Sequence, residues 1–265
     1  MAVRSNNGVL DYYGYNVDYT TYNLKSDWWA TMWRPCESTE NSTQIFKSQQ
    51  VALVNPKADI VYIPYAYDKG NQMLVLESNN AKCSGVTMPV VAATAYYAWS
   101  EAKDTLYMLG DTAPATGPTM WEFQPITKNW TKLTMHGDGP AILSDSCMIS
   151  AFGGQKLLLF GGANSANATT GDIFIFDTAT YTWTKMVTSE SPRGGMACAS
   201  AADYMVVWGG YNDRTKLLPL GEFLFYNIKT DKWKSWIQQT TAERETRLAS
   251  ISRQVGFNTV FQAGS

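Results

Sequence analysis

The chain contains one histidine, His136, in 265 residues. That scarcity removes most imidazole-based metal and acid–base chemistry, since histidine is the commonest metal ligand and titrates near neutral pH. Charged residues make up 17% of the chain, with a formal net charge of −2. Binding nucleic acid requires a basic surface to neutralise phosphates, so no nucleic-acid partner is expected. No apolar run approaches the roughly 18 residues of a membrane-spanning helix, so no membrane insertion is expected. The opening MAVRSNNGVL lacks the apolar core of a signal peptide. HExxH, CxxC, GxSxG and phosphate-loop patterns are all missing. No catalytic constellation and no cofactor are therefore expected.

What is abundant is apolar and aromatic. Hydrophobic residues reach 45%, with 10 Trp and 15 Tyr. This is a globular composition, long enough for one large β domain or two ordinary ones.

The order of these residues repeats. Residues 157–183 read LLLFGGANSANATTGDIFIFDTATYTW, and residues 205–233 follow the same plan. Counted back from the Gly that ends the first apolar run, five segments align without a gap. Their anchors are Pro64, Gly110, Gly161, Gly209 and Ala263. Each apolar run is preceded by a turn-rich piece such as NPKAD, FGGQK or QVGFN, which marks a hairpin. Later in each unit, Trp29, Trp130, Trp183 and Trp233 stand seven residues after Tyr22, Phe123, Phe176 and Tyr226. Leu76 and Cys83 hold the same two columns in the remaining unit. The fixed spacing predicts two strands around a constant turn, with an aromatic on each. Four antiparallel strands per unit, at a period of about 50 residues, describe the blades of a β-propeller. Each Trp is expected to fill the wedge between neighbouring sheets, a burial worth about 2–3 kcal/mol.

A Gly pair after the second strand, then an aromatic, then a late Trp resembles the kelch repeat. The pattern is also similar to the propeller of the galactose oxidase superfamily. Gly161-Gly162 and Gly209-Gly210 keep the pair, Gly110-Asp111 keeps half, and Pro64-Tyr65 lacks it. The resemblance implies an all-β propeller. It does not carry over the oxidase copper site, which needs two His where this chain has one.

The expected architecture is a single domain of five four-stranded blades. Whole blades fall at 35–88, 89–136, 137–188 and 189–236. The fifth combines strands one and two from 237–265 with strands three and four from 1–34, closing the ring across the termini. Turns between strands one and two, and between three and four, keep constant length. The other connections vary in length and share one face, and such loops commonly carry binding.

The first position of strand one holds Ser48, Thr94, Asp145, Arg193 and Arg247. These are expected to ring one mouth of the channel, where Arg193 and Arg247 could clasp an anion, pair with Asp145, or serve only as a hydrated ring. The variable loops add Tyr65, Tyr67, Asp111, Tyr211 and Arg214 as candidate ligand contacts. His136 is expected in a linker. Cys36 and Cys83 are expected to meet as a disulfide at the rim. Cys147 and Cys198 are expected to be buried and reduced, because three columns separate them and their side chains point to opposite sheet faces. Three glycosylation sequons occur, at Asn41, Asn129 and Asn167.

Two functions lead this reading, ahead of an enzyme, for which no constellation of residues is found. One is a non-catalytic, monomeric, extracellular or cell-surface propeller that binds a glycan or a protein, in the manner of a lectin or adhesin. The other is an intracellular-type kelch module for protein–protein interaction.

Overall fold

A computed structural model describes residues 2–6, 9–13, 19–23, 28–32, 53–55, 57–58, 60–64, 72–77, 82–89, 95–111, 118–141, 144–164, 166, 168–213, 216–218 and 221–237. All of its extended structure is β. Sheet I comprises β1 (Ala2–Asn6), β2 (Val9–Tyr13), β3 (Tyr19–Asn23) and β4 (Trp28–Met32). Sheet II comprises β5 (Leu53–Asn55), β6 (Ile60–Pro64), β7 (Gln72–Glu77) and β8 (Lys82–Thr87). Sheet III comprises β9 (Ala95–Ser100), β10 (Thr105–Asp111), β11 (Pro118–Gln124) and β12 (Asn129–Lys132). Sheet IV comprises β13 (His136–Gly137), β14 (Cys147–Ala151), β15 (Lys156–Phe160), β16 (Ile173–Asp177) and β17 (Thr182–Lys185). Sheet V comprises β18 (Ala197–Ala201), β19 (Tyr204–Trp208), β22 (Glu222–Asn227) and β23 (Lys232–Ile237). Between β19 and β22, strands β20 (Tyr211–Asp213) and β21 (Lys216–Leu217) form a separate hairpin.

Each sheet is an antiparallel meander, and only β13 joins its neighbour in parallel. First strands stand side by side in succession, β1 beside β5, then β9, β14 and β18. The sheets therefore stack about their first strands, as propeller blades do.

The apolar runs show why this stacking forms. Second strands such as KLLLF are buried along both faces, because sheet IV lies between sheets III and V. Leu157, Leu159, Phe176 and Trp183 face sheet III, packing with Tyr107, Leu109 and Met120. Leu158, Phe160 and Ile173 face sheet V, packing with Met205, Val207, Leu224 and Tyr226. A third cluster, with Tyr62, Val75, Trp99 and Phe123, fills the seam between sheets II and III. A sheet buried on both faces has no solvent side to alternate with, so its middle strands read as continuous apolar runs.

The seven-residue spacing is a four-residue turn between strands three and four. Phe123 pairs with Trp130, Phe176 with Trp183, and Tyr226 with Trp233. In each pair the ring centroids lie 5.0 Å apart. The turn closes on itself: the Asp177 carboxylate accepts from the Ala179 and Thr180 amides, and the Asn227 side-chain oxygen Oδ1 accepts from those of Lys229 and Thr230. The residue before each last strand, Lys128, Tyr181 or Asp231, is left-handed.

Four expectations are corrected. The opening segment supplies four strands, β1 to β4, rather than two; Gly14 follows β2 as Gly161 follows β15, a sixth anchor that the alignment left out. The expected closing strands of 237–265 lie outside the described residues, apart from Ile237. The turn between strands one and two does vary, spanning 101–104 and 152–155 but only 202–203 in sheet V. His136 is not in a linker but in β13, exposed, its amide donating to the Tyr181 carbonyl at 3.0 Å. Finally, Cys147 and Cys198 are not reduced but joined as a disulfide. They do lie on opposite faces of their sheets. Opposite faces of successive sheets meet across one seam, so the same parity brings the two sulfurs together. Cys147 shares the row of Phe160 and Ile173, Cys198 that of Val207 and Leu224, and all four apolar residues lie in the one core between sheets IV and V.

Candidate functional site

The two ends of the sheets differ. At one end the described turns are two or four residues long and self-capped. At the other end lie the longer connections 138–146, 161–172, 186–196 and 209–221. The best-described part of this loop end spans the seam between sheets IV and V.

The loops there are built on the double glycines. Gly161 and Gly210 are left-handed, with φ of 67° and 90°. A Cβ on Gly161 would lie 2.4 Å from the Arg193 carbonyl oxygen, and one on Gly210 would lie 2.6 Å from that of Gly194. Glycine is needed on both counts, for backbone sign and for close approach to the neighbouring loop. The Gly162 amide then donates to the Arg193 carbonyl at 2.9 Å, tying sheet IV to the loop that leads into sheet V.

Asp145 stands at the centre of this network, with φ of 59°. Its carboxylate accepts from the Tyr211 hydroxyl, and its carbonyl accepts from the Gly195 amide at 2.8 Å. Tyr211 also exchanges both backbone bonds with Gly194, each 2.9 Å. Beside them the Ser146 amide donates to the Tyr96 hydroxyl oxygen at 3.0 Å, and the Ser146 hydroxyl donates to the Gly161 carbonyl at 2.9 Å. Burial raises the Tyr96 phenol above its ordinary value; the bonds from Ser146 lower it and the nearby Asp145 carboxylate raises it. Further out, the Thr169 hydroxyl donates to the Asn212 carbonyl at 2.6 Å, linking the loops of the two sheets. Asn164, Asn212, Asp213 and Glu190 remain exposed around this rim.

Arg193 does not reach a ligand position. Its side chain is fully buried and donates to Gly209 O (3.2 Å), Ser191 Oγ (2.6 Å) and Glu222 Oε2 (3.3 Å). Burial lowers its pKa, while Glu222 opposes the shift. It is a pillar under the loops, not a clasp. The gapless alignment had placed Arg193 level with Asp145. The shorter 202–203 turn shifts the true register by two, and Arg193 finds Glu222 instead.

Of the candidate contacts, the structure brings Asp145 and Tyr211 together. Asp111 ends β10, whereas Tyr65, Tyr67, Arg214 and Arg247 lie outside the described residues. So do Ser48, Thr94, Cys36, Asn41 and Asn167. Cys83 lies in β8, and Asn129 is exposed at the start of β12. Sequence reading missed Tyr96, Ser146 and Glu222, which hold the loop end from beneath; nothing in their local pattern marks them.

Nothing in this network has the form of an activated nucleophile. The Asp145 carboxylate is engaged by a phenol, and no imidazole stands near. Among the described residues, no group of three or more His, Cys, Asp or Glu could hold a metal ion. What the arrangement offers is a rigid polar rim of amides, hydroxyls and carboxylates on a stacked-sheet scaffold.

Stacked four-stranded meanders, a Trp in each described seam and paired glycines under the loops define a kelch-type β-propeller. The profile of the KLHDC2/KLHL20/DRC7 Kelch-repeats domain matches residues 92–258, more than half of the sequence, and the chain belongs to that family. It is also similar to the Rho GTPase-activating protein gacHH of Dictyostelium discoideum, 30% identical over 84 residues. That match covers 30% of this chain and 5% of the gacHH protein, so the likeness concerns a small part of a much longer protein.

Proposed function

We propose that the chain is a non-catalytic protein-interaction module that holds a partner protein on its loop end. The carrying observation is the asymmetry of the two ends. The turns are short and capped from within, as by the Asp177 and Asn227 side chains, whereas the loops of sheets IV and V are fixed to one another by Asp145, Tyr211, Thr169 and Gly162. A pre-organised loop surface loses little entropy on binding, which favours recognition there. Tyr65, Tyr67, Asp111, Arg214 and Arg247 are proposed to complete the same face. The family match favours a protein partner over a glycan, and it agrees with an intracellular-type module better than with a lectin. Cys36–Cys83 pairing, use of the sequons and a monomeric state remain proposals for solution work.

The test is capture by the immobilised chain beside a variant with Tyr65→Ala, Tyr67→Ala and Tyr211→Ala. The expected result is a protein retained by the wild type and lost by the variant, with no signal from either on a glycan array. Saturable glycan binding abolished by the same changes would overturn the proposal in favour of the lectin-like reading.

A further inference from the structure

The seam between sheets IV and V is crossed by one covalent bond. Cys147 and Cys198 form a disulfide between β14 and β18, the first strands of the two sheets, with Cα atoms 6.3 Å apart. No ladder pairs these two strands; each bonds only within its own sheet. Apart from the sulfurs and the apolar core, they are joined through the residues that lead into them. Asp145 lies two positions before Cys147, and Gly195 lies three before Cys198. The bond from the Gly195 amide to the Asp145 carbonyl and that from Tyr211 to the Asp145 carboxylate adjoin the bridge along the chain. Both cysteines are half-buried rather than enclosed, so small thiols can reach them.

We propose that Cys147–Cys198 is a redox-responsive staple that sets how firmly the loop end is held at this seam. The inference rests on reading that end as the binding face. When the bridge forms, one cysteine thiolate attacks a low-molecular-weight disulfide and expels one small thiolate. The second cysteine thiolate then attacks the protein sulfur of the mixed disulfide and expels the other. Two protein thiols lose two electrons and two protons, and the small disulfide becomes two thiols. Excess small thiol reverses both steps. With the bridge intact, the two first strands cannot separate, and the Asp145–Tyr211 and Asp145–Gly195 bonds stay aligned. With it open, those bonds, the Gly162–Arg193 and Thr169–Asn212 bonds and the apolar core hold the seam without a covalent link.

The test uses the full chain equilibrated in glutathione redox buffers, with thiol labelling and hydrogen exchange read by mass spectrometry. Under oxidising conditions neither Cys147 nor Cys198 labels. On reduction both label together, and exchange in peptides covering 144–146, 161–163, 193–196 and 211–213 speeds up by about tenfold or more. Peptides from β10 and β11 do not change. A Cys147→Ser, Cys198→Ser variant exchanges at the fast rate in every buffer; should it not fold, the wild-type titration gives the answer alone. Labelling at every potential would overturn the proposal, as would equal seam exchange in the two redox states. No partner is needed for these readouts, so the staple and the binding reading can fail separately.

Discussion

The seams on either side of sheet IV are packed alike but fastened differently. Between sheets III and IV, the turn end is closed by side chains and backbone. The Ser100 hydroxyl donates to the Gly154 carbonyl at 2.9 Å, the Ala102 amide donates to that of Gly153 at 2.7 Å, and Lys103 reaches the Thr178 carbonyl. Between sheets IV and V the turn end instead opens into a cleft of about 480 Å³, lined by Phe152, Lys156, Ile175, Asp177 and Ile228 among others. The turn at 202–203 is two residues shorter than that at 152–155, and it has no counterpart to Gly153 and Gly154 that could fill the space. This seam is fastened at the loop end by the disulfide, by Arg193 and by Tyr211. Apolar rows set the stacking, and turn length then decides whether the turn end of a seam is filled or open.

Substitutions sharpen the contrast. The largest effect is expected from Trp183→Ala, which empties a 2% exposed wedge in the seam between sheets III and IV. It should cost about 3–5 kcal/mol by denaturant melting. The same change at Trp233, which is only partly buried, should cost less. Next is Gly154→Ala. The new Cβ would lie 2.2 Å from the Ser100 Cα at a φ of +84°, and a loss of about 2 kcal/mol or more is expected. Gly153→Ala faces open space and should cost about 1 kcal/mol, its left-handed φ alone. Equal losses at the two glycines would remove the argument that close approach closes this seam.

At the other seam, Tyr211→Phe keeps the ring but leaves the Asp145 carboxylate without the phenol. A loss of about 1–2 kcal/mol is expected, along with weaker partner binding. Near neutral pH the smallest effect is that of Tyr62, whose phenol is pushed up to about 12, first by burial and then by Asp104. Its folded value lies above the unfolded value of 10.0, so its contribution is complete below pH 10 and is lost as pH rises towards 12. Tyr62→Phe should flatten that alkaline decline in a pH series of melting curves.

Much of the fold was legible because the seven-residue spacing is a direct image of strand geometry. Phe176 and Trp183 are cross-strand partners, and any pair around a four-residue turn must show that interval. The turn between strands one and two was less legible. Two residues can be removed there without disturbing either apolar run, so a gapless alignment fits while the register shifts. That shift hid the true role of Arg193. The Cys147–Cys198 pair was misread for a different reason: face parity was read within one sheet, whereas the contact lies between two. At the site, Asp145 and Tyr211 were found from position and loop variability. Their bond joins residues 66 positions apart, which no local pattern reports.

The most direct test of the account is a hydrogen-exchange footprint of the chain with and without its captured protein partner. The account predicts protection at 144–146, 161–164, 193–196 and 211–213, with none at the turns 178–181 and 228–231. Protection confined to those turns, with the loops unchanged, would contradict it.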